Sequence, residues 1–250
     1  MWLVICASDD AAALWASEGI KQRGPEPVQM LYSDSLLHGV GWEHRLQGER
    51  VFTDVTLPCG QHVRSSEVSG LLNRISALPP ASLLLIQPSD RHYATHEFQA
   101  LFLSWLQAMP APVLNRPTPF GLSGRLRHVS EWVWLAANAG LPNRGYRQSS
   151  NDVPLEWGAH VRTVDAGTPT TTLIVVGDVV TGPPAPAHIE SGCLRLSKLS
   201  GAPLLGVEFV VDRDQTWTFA GVSTNPDLRF GGEPLLDALA LTLNGRTAEA

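Results

Sequence analysis

The stretch Leu204-Leu-Gly-Val-Glu-Phe-Val-Val-Asp212, followed after four residues by Trp217-Thr-Phe-Ala-Gly-Val-Ser-Thr-Asn-Pro226, decides the architecture. Leu205, Val207, Phe209 and Val211 alternate with Gly206, Glu208, Val210 and Asp212, the period of two that sends every other side chain to one buried face of a strand. Trp217 and Phe219 repeat the pattern, so the two segments read as a hairpin. Beyond it Pro234 opens a helix with Leu235, Leu236, Leu239 and Leu243 on one side, and Asn244-Gly245 closes it.

Upstream, strands and helices alternate. Trp2 to Cys6 is a continuous apolar run, as expected of a strand covered on both faces, and Asp9 or Asp10 caps a helix that ends by Gly24. A short strand follows at Val28 to Tyr32, and the stretch from Ser33 to Gly60 reads as irregular or as a hairpin. Val68, Leu71, Leu72, Ile75 and Leu78 fall on one helical stripe after a Ser65 or Ser66 cap, and Pro79-Pro80 stops it. Leu83 to Ile86 reads as a buried strand. Phe98, Leu101, Phe102, Trp105, Leu106 and Met109 mark an amphipathic helix, Val113-Leu114 a short strand, and Leu126, Val129, Val133 and Ala136 a helix capped by Ser123 and ended by Gly140. This order implies a doubly wound, mostly parallel sheet. From Pro142 to Thr170 the apolar pattern dissolves, then Thr172 to Val176 is a strand and Cys193, Leu196 and Leu199 lie on a short helix closed by Gly201.

The bulk numbers narrow the functions. A formal charge of -6 argues against a nucleic-acid binder, which needs clustered cations. Cys6, Cys59 and Cys193 lie far apart without a CxxC pair, so a disulfide framework and a zinc knuckle are not expected and a cytoplasmic, reducing setting is. The N-terminus lacks the basic flank of a signal peptide, and no apolar run is long enough for a membrane span.

The closing hairpin and Leu-rich helix resemble those of ATP-grasp carboxylate-amine ligases. Pro112-Val-Leu-Asn-Arg-Pro-Thr-Pro119, the helix ending Ala-Gly-Leu-Pro142, and Leu173-Ile-Val-Val-Gly-Asp178 resemble, in order, that family's domain join and the strand ending in a Val-Gly-Asp turn. The resemblance implies a pre-ATP-grasp-like α/β domain over residues 1–120 and a shortened ATP-grasp-like α+β domain over 121–250. It also implies an activity in which a carboxylate is activated as an acyl phosphate and captured by an amine. That chemistry calls for cations on the ATP phosphates and carboxylates on magnesium.

Here the chain departs from the pattern. Its two lysines, Lys21 and Lys198, both lie outside the interval from Pro142 to Leu173, where the family's first ATP-binding lysine and Gly-rich loop belong. Arg147 and Arg162 offer charge there, in a different geometry from lysine. The family's Glu-x-Asn falls on Gly221-Val222-Ser223, or two residues later with Ser223 in the Glu position and Asn225 in the Asn position, whereas Glu208 matches the acidic residue of the first strand. The resulting expectation is a degenerate, non-catalytic protein that binds neither ATP nor magnesium well. It would serve as a binding or assembly subunit for a peptide or protein, or as a homodimer, with exposed apolar surface at Trp157, Val161 and Leu173 to Val176. The alternatives are an active ligase with altered nucleotide contacts and a binder of a small anion.

Candidate ligand residues follow from placement. Asn115 and Arg116 come just after a strand, and Arg74, after Asn73, near an expected helix end, on the sheet edge where open α/β proteins collect ligands. Arg125, Arg127 and His128 cluster at a helix start, where they oppose the helix dipole unless paired with Glu131 or an anion. Glu208 completes the set. His92 and His96 are four apart and lack a visible third metal ligand.

Overall fold

The structure is a computed structural model that describes residues 1–48, 50–78, 84, 86–147, 160–165 and 167–245. The chain divides into two compact units: Met1–Arg125, joined by the chain from Ala240, and Leu126–Leu239.

The first unit opens with β1 (Trp2–Cys6), α1 (Ala11–Lys21), β2 (Val28–Tyr32) and the short α2 (Ser33–Leu37). Asp10 caps α1 by accepting from the Ala13 amide at 2.9 Å. A three-stranded antiparallel sheet follows, β3 (Gly41–Gln47), β4 (Arg50–Thr56) and β5 (His62–Arg64), then β6 (Gly70–Asn73), α3 (Arg91–Gln107) and β7 (Val113–Leu114). The main sheet has the order β2-β1-β6-β7 with every pairing parallel. Leu3, Ile5 and Leu71 pack with Phe102, Trp105 and Leu106 of α3 in one core, onto which Trp42 of β3 lays its ring edge-on, 5.4 Å from Trp105.

The helix expected from Ser65 to Leu78 is instead a 3-10 turn at Ser65–Glu67 followed by β6. All four residues of β6 are buried, because β1 and β7 flank it. A strand buried on both faces carries apolar residues without alternation, and so short a run mimics a helical stripe. Gly70 is required there, since a Cβ would lie 2.4 Å from the Leu243 carbonyl oxygen. Of the strand expected at Leu83 to Ile86, Leu84 sits exposed in a turn and Ile86 in a bend, while Leu83 and Leu85 lie outside the described residues.

The second unit comprises α4 (Val129–Asn138), β8 (His160–Arg162), β9 (Thr171–Val176), β10 (Val179–Thr181), α5 (Ala187–Ser200), β11 (Leu204–Val211) and β12 (Trp217–Ser223), and α6 (Gly232–Leu243) begins in it. Its sheet is antiparallel in the order β10-β9-β11-β12-β8. Leu205, Val207, Phe209, Trp217 and Phe219 point to one side, where they pack with α4 and α5. Both the closing hairpin and the α/β class are as the sequence predicts.

Two expectations change. Helix α4 starts at Val129 rather than after Ser123: Gly124 takes φ +96°, and His128 is extended and acts as the cap. Val161 and Leu173–Val176, expected to present an apolar surface, are interior; Trp157 lies outside the described residues. Trp132 is buried while Trp134 on the same helix is 64% exposed. Among the described residues no helix is long and apolar enough to cross a membrane.

Candidate functional site

At the carboxyl edge of the parallel sheet, the side chains expected to hold a ligand are engaged with the fold. Arg74 is buried and forms a two-pronged pair with Asp10, Nε to Oδ2 at 2.7 Å and an Nη to Oδ1 at 3.2 Å. Asn73 donates to the carbonyls of Asn115 at 2.9 Å and Leu122 at 2.7 Å, which holds Asn115 in its left-handed conformation at φ 55°. Arg116 turns back onto the end of α3 and donates to the carbonyls of Leu106, Gln107, Met109 and Ala111 at 2.8–3.1 Å. It is a C-terminal helix cap, a cation at the negative end of the dipole. Burial pulls its pKa below the usual arginine value. Arg125 lies 5.7 Å from the centre of the Phe120 ring.

In the second unit Arg127 pairs with Glu131 at 2.8 Å, donates to the Ser200 carbonyl at 2.8 Å and stacks 5.1 Å over Trp132. His128 accepts from the Ser130 amide through Nδ1 and so caps α4. Because Arg125, Arg127 and His128 precede the helix, none sits within its first turn. His92 and His96 stack edge-on at 4.3 Å, and among the described residues no three His, Cys, Asp or Glu side chains gather as a metal cage.

Glu208 belongs to a different setting. In register, Thr172 of β9, Glu208 of β11, Gly221 of β12 and Arg162 of β8 form a row across four strands. The row lies on the face opposite Val161, Val207 and Phe209, which point into the core. Gly221 has no side chain, so the Arg162 side chain crosses β12 and brings its Nε to 3.0 Å from Glu208 Oε2. A Cβ at Gly221 would stand 2.4 Å from the Val161 carbonyl oxygen. Arg162 also donates to the Thr168 carbonyl at 2.9 Å and toward Thr170 Oγ1 at 3.4 Å, while Thr170 Oγ1 lies 3.4 Å from Glu208. At the end of β12 Ser223 Oγ accepts from the Asn225 amide at 3.1 Å, and Pro226 covers Gly206.

The two lysines are far from this row in kind: Lys21 pairs with Glu18 and Lys198 with Asp178, both at the surface. The donor set of the row is one carboxylate, one guanidinium and threonine hydroxyls; the Glu208 side chain is buried and that of Arg162 is 21% exposed, with its Nε interior. That chemistry suits a phosphate on Arg162 and a magnesium ion on Glu208, since magnesium is commonly held by one or two carboxylates plus phosphates and waters. The sequence pointed to Glu208 and treated Arg162 only as a spare charge. What joins them is the register through Gly221, and a glycine opposite a lone acidic strand residue was the available signal.

No protein-family model and no curated protein matches the chain. Solved structures do match, over nearly its whole length. The macrocyclase MdnC from Microcystis aeruginosa MRC, bound with precursor peptide MdnA, superposes with a TM-score of 0.71 at 13% identity, covering 98% of this chain and 100% of that one. A Chryseobacterium gregarium RiPP-associated ATP-grasp ligase in complex with ADP and a leader and core peptide gives 0.71 at 12% identity, covering 99% and 97%. The ATP-grasp ligase PsnB complexed with minimal precursor, Mg and ADP gives 0.65 at 13% identity, covering 98% of each chain.

These structures correct the expectation that ATP and magnesium bind poorly. Ligases of the same fold hold ADP, one of them with magnesium. The expectation rested on the missing lysines, Gly-rich loop and Glu-x-Asn carboxylate, features of the sequence pattern, whereas the capacity to meet a phosphate with fixed positive charge is not confined to lysine. The fold of this chain is that of the ATP-grasp ligases.

Proposed function

We propose that this protein is a peptide-directed ligase that binds a magnesium nucleotide through contacts of its own, with Arg162 as the phosphate cation and Glu208 as the magnesium carboxylate. A peptide carboxylate is activated with ATP and captured by an amine, and ADP and phosphate leave. The Arg162–Glu208 pair, at 3.0 Å on the sheet face away from the core and largely buried, carries this reading. The fold supports it, since the similar macrocyclase MdnC is bound with a precursor peptide and the similar ATP-grasp ligase PsnB is complexed with a minimal precursor. The nucleotide is the energy source, while the chain's own residues fix charge where phosphoryl transfer builds it.

The test is to incubate the protein with ATP, magnesium and peptides carrying both carboxylate and amine side chains, following ADP release and peptide mass. Peptide-dependent ADP with loss of one water from the peptide is expected. Absence of nucleotide binding by calorimetry would overturn the reading.

A second reading, a non-catalytic assembly subunit, draws on Gly221 and Ser223, neither of which brings a second carboxylate to the row. It predicts that peptide and nucleotide bind without ADP release in the same assay.

A further inference from the structure

We propose that Arg162 and Glu208 form an exchangeable latch on the nucleotide site, in which the guanidinium holds the carboxylate until a polyphosphate takes the guanidinium and leaves the carboxylate to magnesium. The inference rests on the nucleotide reading above and adds a rule for how the site fills.

The geometry makes each group the other's occupant. Arg162 crosses the bare backbone of Gly221 to reach Glu208 at 3.0 Å, and the Thr168 carbonyl at 2.9 Å holds its fork in that pose. The pair is close to neutral as seen by an approaching ion. A magnesium ion arriving alone meets a carboxylate whose charge is already answered, and a metal-free nucleotide meets a guanidinium in the same condition. Each must break an ion pair in a partly desolvated place, where leaving one member unmatched is costly. When both arrive, one ion pair gives way to two, phosphate with Arg162 and magnesium with Glu208.

Arginine suits this better than lysine would. Its planar fork addresses the Thr168 carbonyl, Thr170 and Glu208 together, and a phosphate can take over the carboxylate-facing edge while the Thr168 bond stays. Gly221 makes the exchange possible, because any side chain there would collide with the Val161 carbonyl at 2.4 Å and occupy the path of the Arg162 side chain. Metal and nucleotide are therefore coupled through the protein, and each must raise the other's affinity by the same factor.

The experiment measures Mn2+ alone by electron paramagnetic resonance and ATP alone in EDTA by calorimetry, on the intact protein and two variants. Arg162→Met uncovers the carboxylate, so Mn2+ is expected to bind about tenfold tighter or more than to the wild type. Glu208→Gln releases the guanidinium, so metal-free ATP is expected to bind about tenfold tighter, with magnesium adding no further gain. Glu208 acting as a simple metal ligand would leave metal-free ATP affinity unchanged, and that result, or unchanged Mn2+ binding in Arg162→Met, overturns the latch. Should Arg162→Met lose its circular-dichroism signal, Arg162→Gln, which also removes the cation, must show the same gain in Mn2+ affinity, and no gain overturns the latch. A wild type that binds no ATP with or without magnesium defeats the ligase reading instead, while the Mn2+ comparison still decides whether Arg162 masks the carboxylate.

Discussion

Arg116 and Met109 are joined by a hydrogen bond of 3.1 Å, from the guanidinium of the one to the carbonyl of the other, and this contact ties the end of β7 to the end of α3. With the three further carbonyls that Arg116 reaches, it explains why a residue placed on the ligand edge of the sheet is a structural one.

Replacing Arg116 with Met therefore costs stability rather than affinity. Hydrogen bonds to charged groups contribute about 1.5–3 kcal/mol each and are not additive, so a loss of about 2–4 kcal/mol is expected in urea unfolding. Arg116→Lys should recover little, because an ammonium cannot span four carbonyls with a planar fork. Unchanged stability in Arg116→Met would show that its carbonyl contacts do not hold the fold and that the guanidinium can serve a ligand instead.

Gly221→Ala tests the crossing of β12. The added carbon would meet backbone at 2.4 Å, so β8 must move away and about 1–3 kcal/mol should be lost to overpacking. Because β8 carries Arg162, the same variant should weaken magnesium-nucleotide binding, whereas Phe209→Ala, on the opposite face, should cost about 3–5 kcal/mol of stability with the affinity of the folded protein retained. Equilibrium unfolding and calorimetry on the two variants separate the effects.

The acid limb of stability should depend on Asp54. Burial alone would raise its pKa, but hydrogen bonds from His62 at 2.9 Å and Arg64 at 3.2 Å win and hold it below the ordinary aspartate value. A depressed folded-state pKa gives stability that is present above the unfolded-state value of about 3.9 and is lost as pH falls through the folded one. The unfolding midpoints of wild type and Asp54→Asn should differ at neutral pH and converge below that range. A constant gap down to the most acidic condition would show that the carboxylate charge is not what holds β4 to β5.

The thiols give the opposite limb. Burial raises Cys6 to about 11, with help from the charge of Asp10, and Cys193 to about 12, with help from Glu190. Cys59 is exposed. A thiol reagent at neutral pH should titrate Cys59 rapidly in the native protein and the other two only on unfolding. The raised values add stability below the ordinary thiol pKa of about 8.5, and it drains away as pH climbs toward the folded-state values. Fast modification of Cys193 in the native protein, read by peptide mapping, would contradict its burial.

What the sequence made legible depended on the range of the cause. The β11–β12 hairpin was readable because its alternation is local, and α3 because its stripe from Phe98 to Met109 is long. β6 was not, since what makes Gly70–Asn73 a strand is the pairing with Trp2–Ile5 and Val113–Leu114, distant in sequence. The expected helix start at Arg125 and Arg127 and the expected helix end near Arg74 are not where the structure puts them, and the partners of these arginines are non-local: Asp10 lies 64 positions from Arg74, and Ser200 73 from Arg127. Arg162 was undervalued for the same reason, because its link to Glu208 passes through the register of three strands.

The approach of Leu243 to Gly70, close enough to exclude a Cβ, bears on the order in which the protein is made. A ribosome releases residues 1–125 long before it reaches residue 243, so the parallel sheet must wait for the whole intervening unit before its contact at Gly70 can close. During that interval Gly70 and its neighbours face the nascent-chain environment uncovered. Emergence of residue 243, rather than of the first 125 residues, is then the moment at which protease resistance of the N-terminal sheet should appear.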